Sequence, residues 1–329
     1  MNSLSQEQLD QLMQQAKSFS KVTRSMYDEE VKKGIAEGMG DNSLDQTLWS
    51  AIHSATKRTA NLDIPFAGLE VTLHDLWYVC IQATKNIHSS NLKQDQILRY
   101  LMSAKAMGPL RRTTPSSEPG NASTTKRGEI ITFSDGHRFW SDLPFFGQDL
   151  IDEFANSYYQ RKHYDESQRA NFAAFIGRLL SVAIYDGPAL CTLSLFQQAL
   201  ETPRPLVSVV GDKESGDRVL PVQDLLHALR QLAHYSQNSI VILANIPGAA
   251  TDTPNVVYDG FPQMSGLGEL AKQAGTITSP SGYSAERFEF WIQRLQQLSQ
   301  CEVESIADDA KECLTVLEIA QDDIGPLTE

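Results

Sequence analysis

The chain has 329 residues, 41% of them hydrophobic and 21% charged, a composition that excludes a largely disordered protein. Acidic residues outnumber basic ones 41 to 28, for a formal charge of -13, which repels phosphate backbones and argues against nucleic acid as a partner. No apolar run reaches the roughly 18 residues that span a bilayer, and MNSLSQEQLDQLMQQAK at the start lacks a basic stretch followed by an apolar one. The expectation is an intracellular protein of cytoplasm or nucleus with no membrane partner.

In chain order, Leu9, Leu12, Met13 and Ala16 carry helical spacing within a predicted helix over 4–19. A second helix is predicted from residue 20 or 21 to Ala36, ended by Gly34, Gly38 and Gly40. Asp41, Asn42 and Ser43 can cap a third, with Leu44, Leu48, Trp49 and Ile52 on one face. After Pro65, Leu69, Leu73, Leu76, Trp77, Cys80 and Ile81 form a buried stripe, and a further helix over 92–107 is stopped by Gly108-Pro109. Residues 108–132 are polar and rich in turn formers and read as a loop insert.

A helix is predicted over 150–159. Asp165-Glu-Ser-Gln168 has the form of a capping box before Phe172, Phe175, Ile176, Leu179 and Leu180. Pro188 opens a helix to Leu200. Residues 206–219 read either as a short hairpin, from the strand propensity of LVSVV, or as a plain loop. Pro221 precedes a long helix with Leu225, Leu226, Leu229 and Leu232; SIVILANI either continues it or forms a separate buried segment. Residues 247–282 are irregular, with a short helix near 267–272. Ser284 caps a helix with Phe288, Trp291, Ile292, Leu295 and Leu298 on its apolar face, and the last helix runs over 301–320. About ten helices without alternating strands specify an all-α fold, read as a single domain over 1–329.

Three stretches carry a family resemblance. Trp140-Ser-Asp-Leu-Pro-Phe-Phe-Gly147 has the pattern W-x-x-L-P-x-x-G. Asn171-Phe-Ala-Ala-Phe-Ile-Gly-Arg178 has N-x-x-A-F-x-x-R. Gly282-Tyr-Ser-Ala-Glu-Arg-Phe-Glu-Phe-Trp291 has G-[FY]-S-x-x-R-[WF]-x-F-W. In this order they resemble a family of uncharacterised helical proteins of filamentous fungi, a domain of unknown function, over roughly residues 45–300. The resemblance implies a helical fold and a fungal setting, and brings no activity. Phe288 stands where the family pattern suggests Trp.

The candidate site residues each have two readings. In FSDGHRFWSDLPFFG, residues 133–147, His137, Arg138, Trp140 and Asp142 either glue a loop onto helices or line a pocket where a His beside a carboxylate moves a proton. His227 and His234 lie two helical turns apart, about 10.5 Å of rise, too far to share one metal ion; with Tyr235 they line a pocket, or they belong to ordinary helix surface or are satisfied core histidines. Arg287 and Trp291 share one helix face. Arg287 binds either an internal carboxylate, with Asp142, Glu201 and Glu269 as the candidates, or a ligand.

Cys80, Cys191, Cys301 and Cys313 form no CxxC pair and read as free thiols. There is no phosphate-binding loop, no GxGxxG after a strand, no GxSxG and no HExxH, so no cofactor and no metal site is expected. Two functional classes fit: an interaction or small-molecule-binding module working through a groove between helices, or a cofactor-free enzyme on a small organic substrate, for instance in secondary metabolism. Self-association into a homo-oligomer is a third option.

Overall fold

The computed structural model of the protein describes residues 14, 20–22, 24–29, 42–61, 66–113, 128–133, 136–208, 219–246 and 261–325. Among these the fold is all-α, with about ten helices and only isolated β-bridges. The predicted first helix, apart from residue 14, residues 23 and 30–36 of the second with the glycine cluster that ends it, most of the polar insert, 209–218 of the hairpin-or-loop segment and 247–260 lie outside the described residues. The chain forms two compact units, residues 1–149 and 150–329.

In the first unit, α1 (Asn42–Asn61), α2 (Phe66–Asn86) and α3 (Leu92–Ala106) pack on one another. The α2 stripe Leu69, Leu73, Leu76, Trp77 and Cys80 is buried, as its 3.6-residue period requires. The carbonyls that the end of α2 leaves unpaired are taken up by buried Gln94, whose amide donates to Thr84 and Ile87 at 3.2 and 2.8 Å. Asn91 caps α3 by accepting from the Lys93 N–H at 2.9 Å. Residues 20–22 and 24–29 are helical and lie along α2, with Ser20 and Arg24 bonded to Asp75, and Asp28 bonded to Tyr78.

The aromatic box closes this unit. Trp140, Leu143 and Phe145 have φ of 65, 47 and 65°, left-handed backbone that costs a non-glycine residue roughly 1–3 kcal/mol. Their surroundings hold them there. Trp140 is fully buried and donates to Thr56 Oγ1 at 2.9 Å, while Trp77 donates to the Pro144 carbonyl at 2.7 Å. Trp140 meets Phe139 and Trp77 edge-on, with centroids 4.8 and 6.4 Å apart. The strained turn delivers the chain into α4 (Phe146–Glu153), whose Asp149 N–H bonds the Phe145 carbonyl at 2.9 Å.

The second unit is built on α5 (Glu166–Ser181), buried on every side from Ala170 to Leu180, packed against α7 (Val222–Asn245). The predicted capping box is present: Asp165 accepts from the Gln168 N–H at 2.7 Å and Gln168 accepts from the Asp165 N–H at 3.2 Å. Gly177 is needed where α5 crosses α7, because a Cβ there would sit 2.5 Å from the Leu232 carbonyl oxygen. SIVILANI continues α7 as far as Asn245, and Ser239 within it donates to the Leu180 carbonyl at 3.0 Å. Residues 206–208 are irregular.

Pro188 opens α6 (Pro188–Phe196), which widens into a π-helical turn, Gln197–Glu201; a similar turn, Phe154–Tyr158, follows α4. Short helices α8 (Phe261–Ser265) and α9 (Glu269–Ala274) precede α10 (Ala285–Leu298) and α11 (Glu304–Ile324). Helix α11 packs on α7 and α10. Ser284 caps α10, accepting from the Arg287 N–H at 3.2 Å.

Candidate functional site

Arg287 and Trp291 project one helical turn apart from α10, and both are fully buried. The carboxylate they meet is Glu201, at the last position of the π-helical turn and also fully buried. Arg287 Nε and Nη2 donate to Glu201 Oε1 and Oε2 at 2.7 and 3.0 Å. Its Nη1 donates to the Ser265 and Gly282 carbonyls at 2.8 Å each, and Nη2 also donates to the Gly266 carbonyl at 2.7 Å. Glu201 accepts two further bonds, from Trp291 Nε1 and from the Gly268 N–H, both 2.7 Å.

This set is complete. A guanidinium has five N–H donors and a carboxylate about four acceptor sites, and each is used here by the protein itself. Arg287 therefore ties α10 to the π-helical turn and to both ends of the segment from Ser265 to Gly282, where an isolated bridge joins Gly266 and Ser281. Gly268 has no room for a side chain: a Cβ would lie 2.5 Å from the Glu201 Cβ. Of the three carboxylates considered for Arg287, Glu201 is the partner, and the cluster has no donor left for a ligand.

The other predicted residues fall into separate groups. Arg138 clasps Asp142 through Nε and Nη2 at 3.1 and 2.9 Å, and its backbone N–H bonds the same carboxylate at 2.8 Å. Those bonds outweigh partial burial and hold the Asp142 carboxyl below the usual range. His137 is half-buried in the same turn, and Trp140 faces the core. In the second unit, His227 lies 3.4 Å from Asp309 of α11, which also receives Arg230 at 3.0 Å. His234 is exposed and meets Tyr235 edge-on at 4.8 Å, while the Arg178 guanidinium sits 3.6 Å above the Tyr235 ring. His227 and His234 are thus engaged with different neighbours; Arg138 and Asp142 form one pair, and Arg287 and Trp291 meet on Glu201.

A groove of about 590 Å³ opens in the first unit, with Ser20, Lys21, Arg24, Ser25 and Asp28 on one wall and Val71 and His74 of α2 on the other. His74 is the chemically distinctive residue in it. Its Nδ1 lies 2.8 and 2.9 Å from the two oxygens of Asp149, and Phe145 packs on the ring with centroids 4.9 Å apart. Both contacts come from the strained box and the helix that follows it, so the box also positions a histidine. The Nε2 atom stands 3.9 Å from Glu70 and makes no hydrogen bond among the described residues. Burial alone would lower the His74 pKa; the Asp149 hydrogen bond, with the charges of Asp149 and Glu70, overcomes this and the opposing charge of Arg24, leaving it raised above 6.5.

A raised histidine pKa stabilises the fold fully below the unfolded value and loses that contribution as pH climbs through the folded value. His74→Gln is therefore expected to lower stability more in buffer below pH 6.5 than in mildly alkaline buffer, measured by urea unfolding at both. An equal deficit at the two pH values contradicts the dyad.

Neither His74 nor Asp149 stood out in the sequence as a site residue. One signal was available: Glu70, His74 and Tyr78 repeat every four residues on α2, a polar row beside the apolar stripe. The Asp149 partner is 75 positions away, beyond any local pattern.

Among the described residues, no helix is long and apolar enough to cross a membrane, and no group of three His, Cys, Asp or Glu side chains is placed to hold a metal ion. Cys80, Cys191 and Cys313 are buried free thiols, Cys301 is half-buried and free, and burial pushes the three buried thiols far above their ordinary pKa. In comparison with known proteins, the chain is 24% identical over 303 residues to the oxopyrrolidines biosynthesis cluster protein G of Penicillium oxalicum, covering 90% of this chain and 77% of that one. The family described as "Protein of unknown function (DUF3632)" matches residues 77–295, a span that holds the aromatic box and the Glu201–Arg287–Trp291 cluster. With two thirds of its length in that match, the chain belongs to the DUF3632 family.

Proposed function

We propose that the protein is a binding module for a small organic molecule, which it takes into the groove beside His74. The observation that carries this reading is the groove itself. It has the volume typical of a ligand site, roughly 300–1,000 Å³, and brings donors and acceptors together over the aliphatic stems of Lys21 and Arg24 and over Val71. The Penicillium relative is described as a member of an oxopyrrolidines biosynthesis cluster, which supports a setting in secondary metabolism and makes lactams and related carbonyl compounds sensible first probes.

Val71→Trp fills the groove from the face of α2. A thermal-shift screen of small lactams, amides and organic acids is expected to give compounds that stabilise the wild type and leave Val71→Trp unmoved. Stabilisation that persists in Val71→Trp places the site elsewhere and overturns the reading.

The His74–Asp149 pair favours a second reading, a cofactor-free enzyme. A histidine whose Nδ1 is held by a carboxylate presents Nε2 as a proton acceptor in its neutral form. Turnover of a bound compound by wild type, abolished in His74→Gln with binding retained, would establish catalysis; unchanged compound after prolonged incubation leaves a binding module.

A further inference from the structure

We infer that the groove reads a dipolar organic ligand, with a carboxylate held by Lys21, Arg24 and His74 and an N–H donor facing Asp28. The inference rests on the small-molecule reading above and adds to it the polarity of the ligand.

Two ion pairs are already closed. Arg24 Nε donates to Asp75 at 2.7 Å, with Ser20 donating to the same oxygen, and Asp149 holds His74 Nδ1. These pairs are internally neutral when His74 is protonated, yet each leaves donors over. The terminal nitrogens of Arg24 and the Nε2 of His74 make no hydrogen bond among the described residues, and the Arg24 guanidinium is steadied 4.9 Å from the Tyr78 ring centroid. Lys21, exposed, has no acidic partner among the described residues. Together they form a donor-rich end of the groove, a setting suited to the two oxygens of a carboxylate.

Asp28 supplies the opposite pole. It accepts from the Tyr78 hydroxyl, has no basic partner among the described residues, and lines the groove. Lys21 and Asp28 are seven residues apart, about two helical turns, which places them near one face with roughly 10 Å of rise between them. Side-chain reach shortens the gap to the length of a small molecule. Glu70 is the competing charge: half-exposed and 3.9 Å from His74 Nε2, it draws on the same donor that a ligand carboxylate would use.

Three probes of nearly one shape separate the poles: 5-oxopyrrolidine-2-carboxylate, its neutral 2-carboxamide, and the lactone acid with ring oxygen in place of N–H. Titration calorimetry on the full chain is expected to show the lactam acid binding about tenfold or more tightly than either analogue, the scale of one hydrogen bond to a charged group. Lys21→Gln, which leaves Arg24 and His74 in place, is expected to shrink the preference for acid over amide, and Asp28→Ala, which removes the acceptor, is expected to erase the preference for lactam over lactone. Glu70→Gln is expected to tighten both acids. Equal affinity for all three probes, or preferences left undiminished by Lys21→Gln and Asp28→Ala, overturns the dipolar assignment while leaving a ligand groove. If none of the three binds, the assignment also falls, and Val71→Trp against the broader compound screen decides separately whether the groove binds anything.

Discussion

Arg287→Met is expected to destabilise the second unit by about 3–5 kcal/mol, the usual cost of removing one member of a buried ion pair. Glu201 is fully buried and would lose two of its four donors. The Ser265 and Gly282 carbonyls would lose the Arg287 donors that join them to α10, whereas Gly266 would keep a bond at 2.7 Å from Gln197. Removing both charges, in Arg287→Met with Glu201→Gln, is expected to recover part of the loss, because the stranded charge is what costs most. Urea unfolding followed by circular dichroism measures both. A loss below about 1 kcal/mol for Arg287→Met, the scale of a solvent-exposed pair, contradicts the assignment of this cluster as the tie that holds the unit together.

Trp140→Ala is the second large effect, about 3–5 kcal/mol for an indole removed from a packed core. The indole is what fixes a turn with three left-handed non-glycine residues, through its bond to Thr56 and its edge contacts with Phe139 and Trp77. Once it is gone, the turn has reason to relax toward ordinary backbone, and Phe145 and Asp149 with it. The expected signature is twofold: a fall in thermal stability, and loss of the nuclear magnetic resonance signal of a His74 Nδ1–H held by a carboxylate. Trp140→Phe keeps most of the packing and loses one N–H donor, so a cost of about 1 kcal/mol and an intact His74 signal are expected. If Trp140→Ala falls in stability but keeps the His74 signal, the box packs the unit without positioning the dyad.

Features set by near neighbours were legible in the sequence. The all-α class followed from helical spacing, and the Asp165 capping box, the Ser284 cap and Pro188 at the start of α6 are where short motifs place them. SIVILANI was ambiguous because an apolar run that short fits either a helix end or a separate buried segment; Ser239, bonded to Leu180, shows how α5 draws it into α7. Longer-range features were open to different degrees. The helix face shared by Arg287 and Trp291 was visible, but choosing Glu201 from three carboxylates depended on a π-helical turn that no periodicity announces. The box read as glue or chemistry; its aromatics are buried, and the same turn sets Asp149 against His74. Lys21 and Asp28 carry no local signal in the sequence, because a groove depends on two helices and each sequence segment shows only one.

The most direct test of the ligand groove is a crystal of the full chain soaked with 5-oxopyrrolidine-2-carboxylate. The account predicts density for the acid between Lys21, Arg24 and His74, with its ring N–H toward Asp28. Density that settles instead beside His137, His227 or His234, or a groove left empty at saturating concentration, would contradict it.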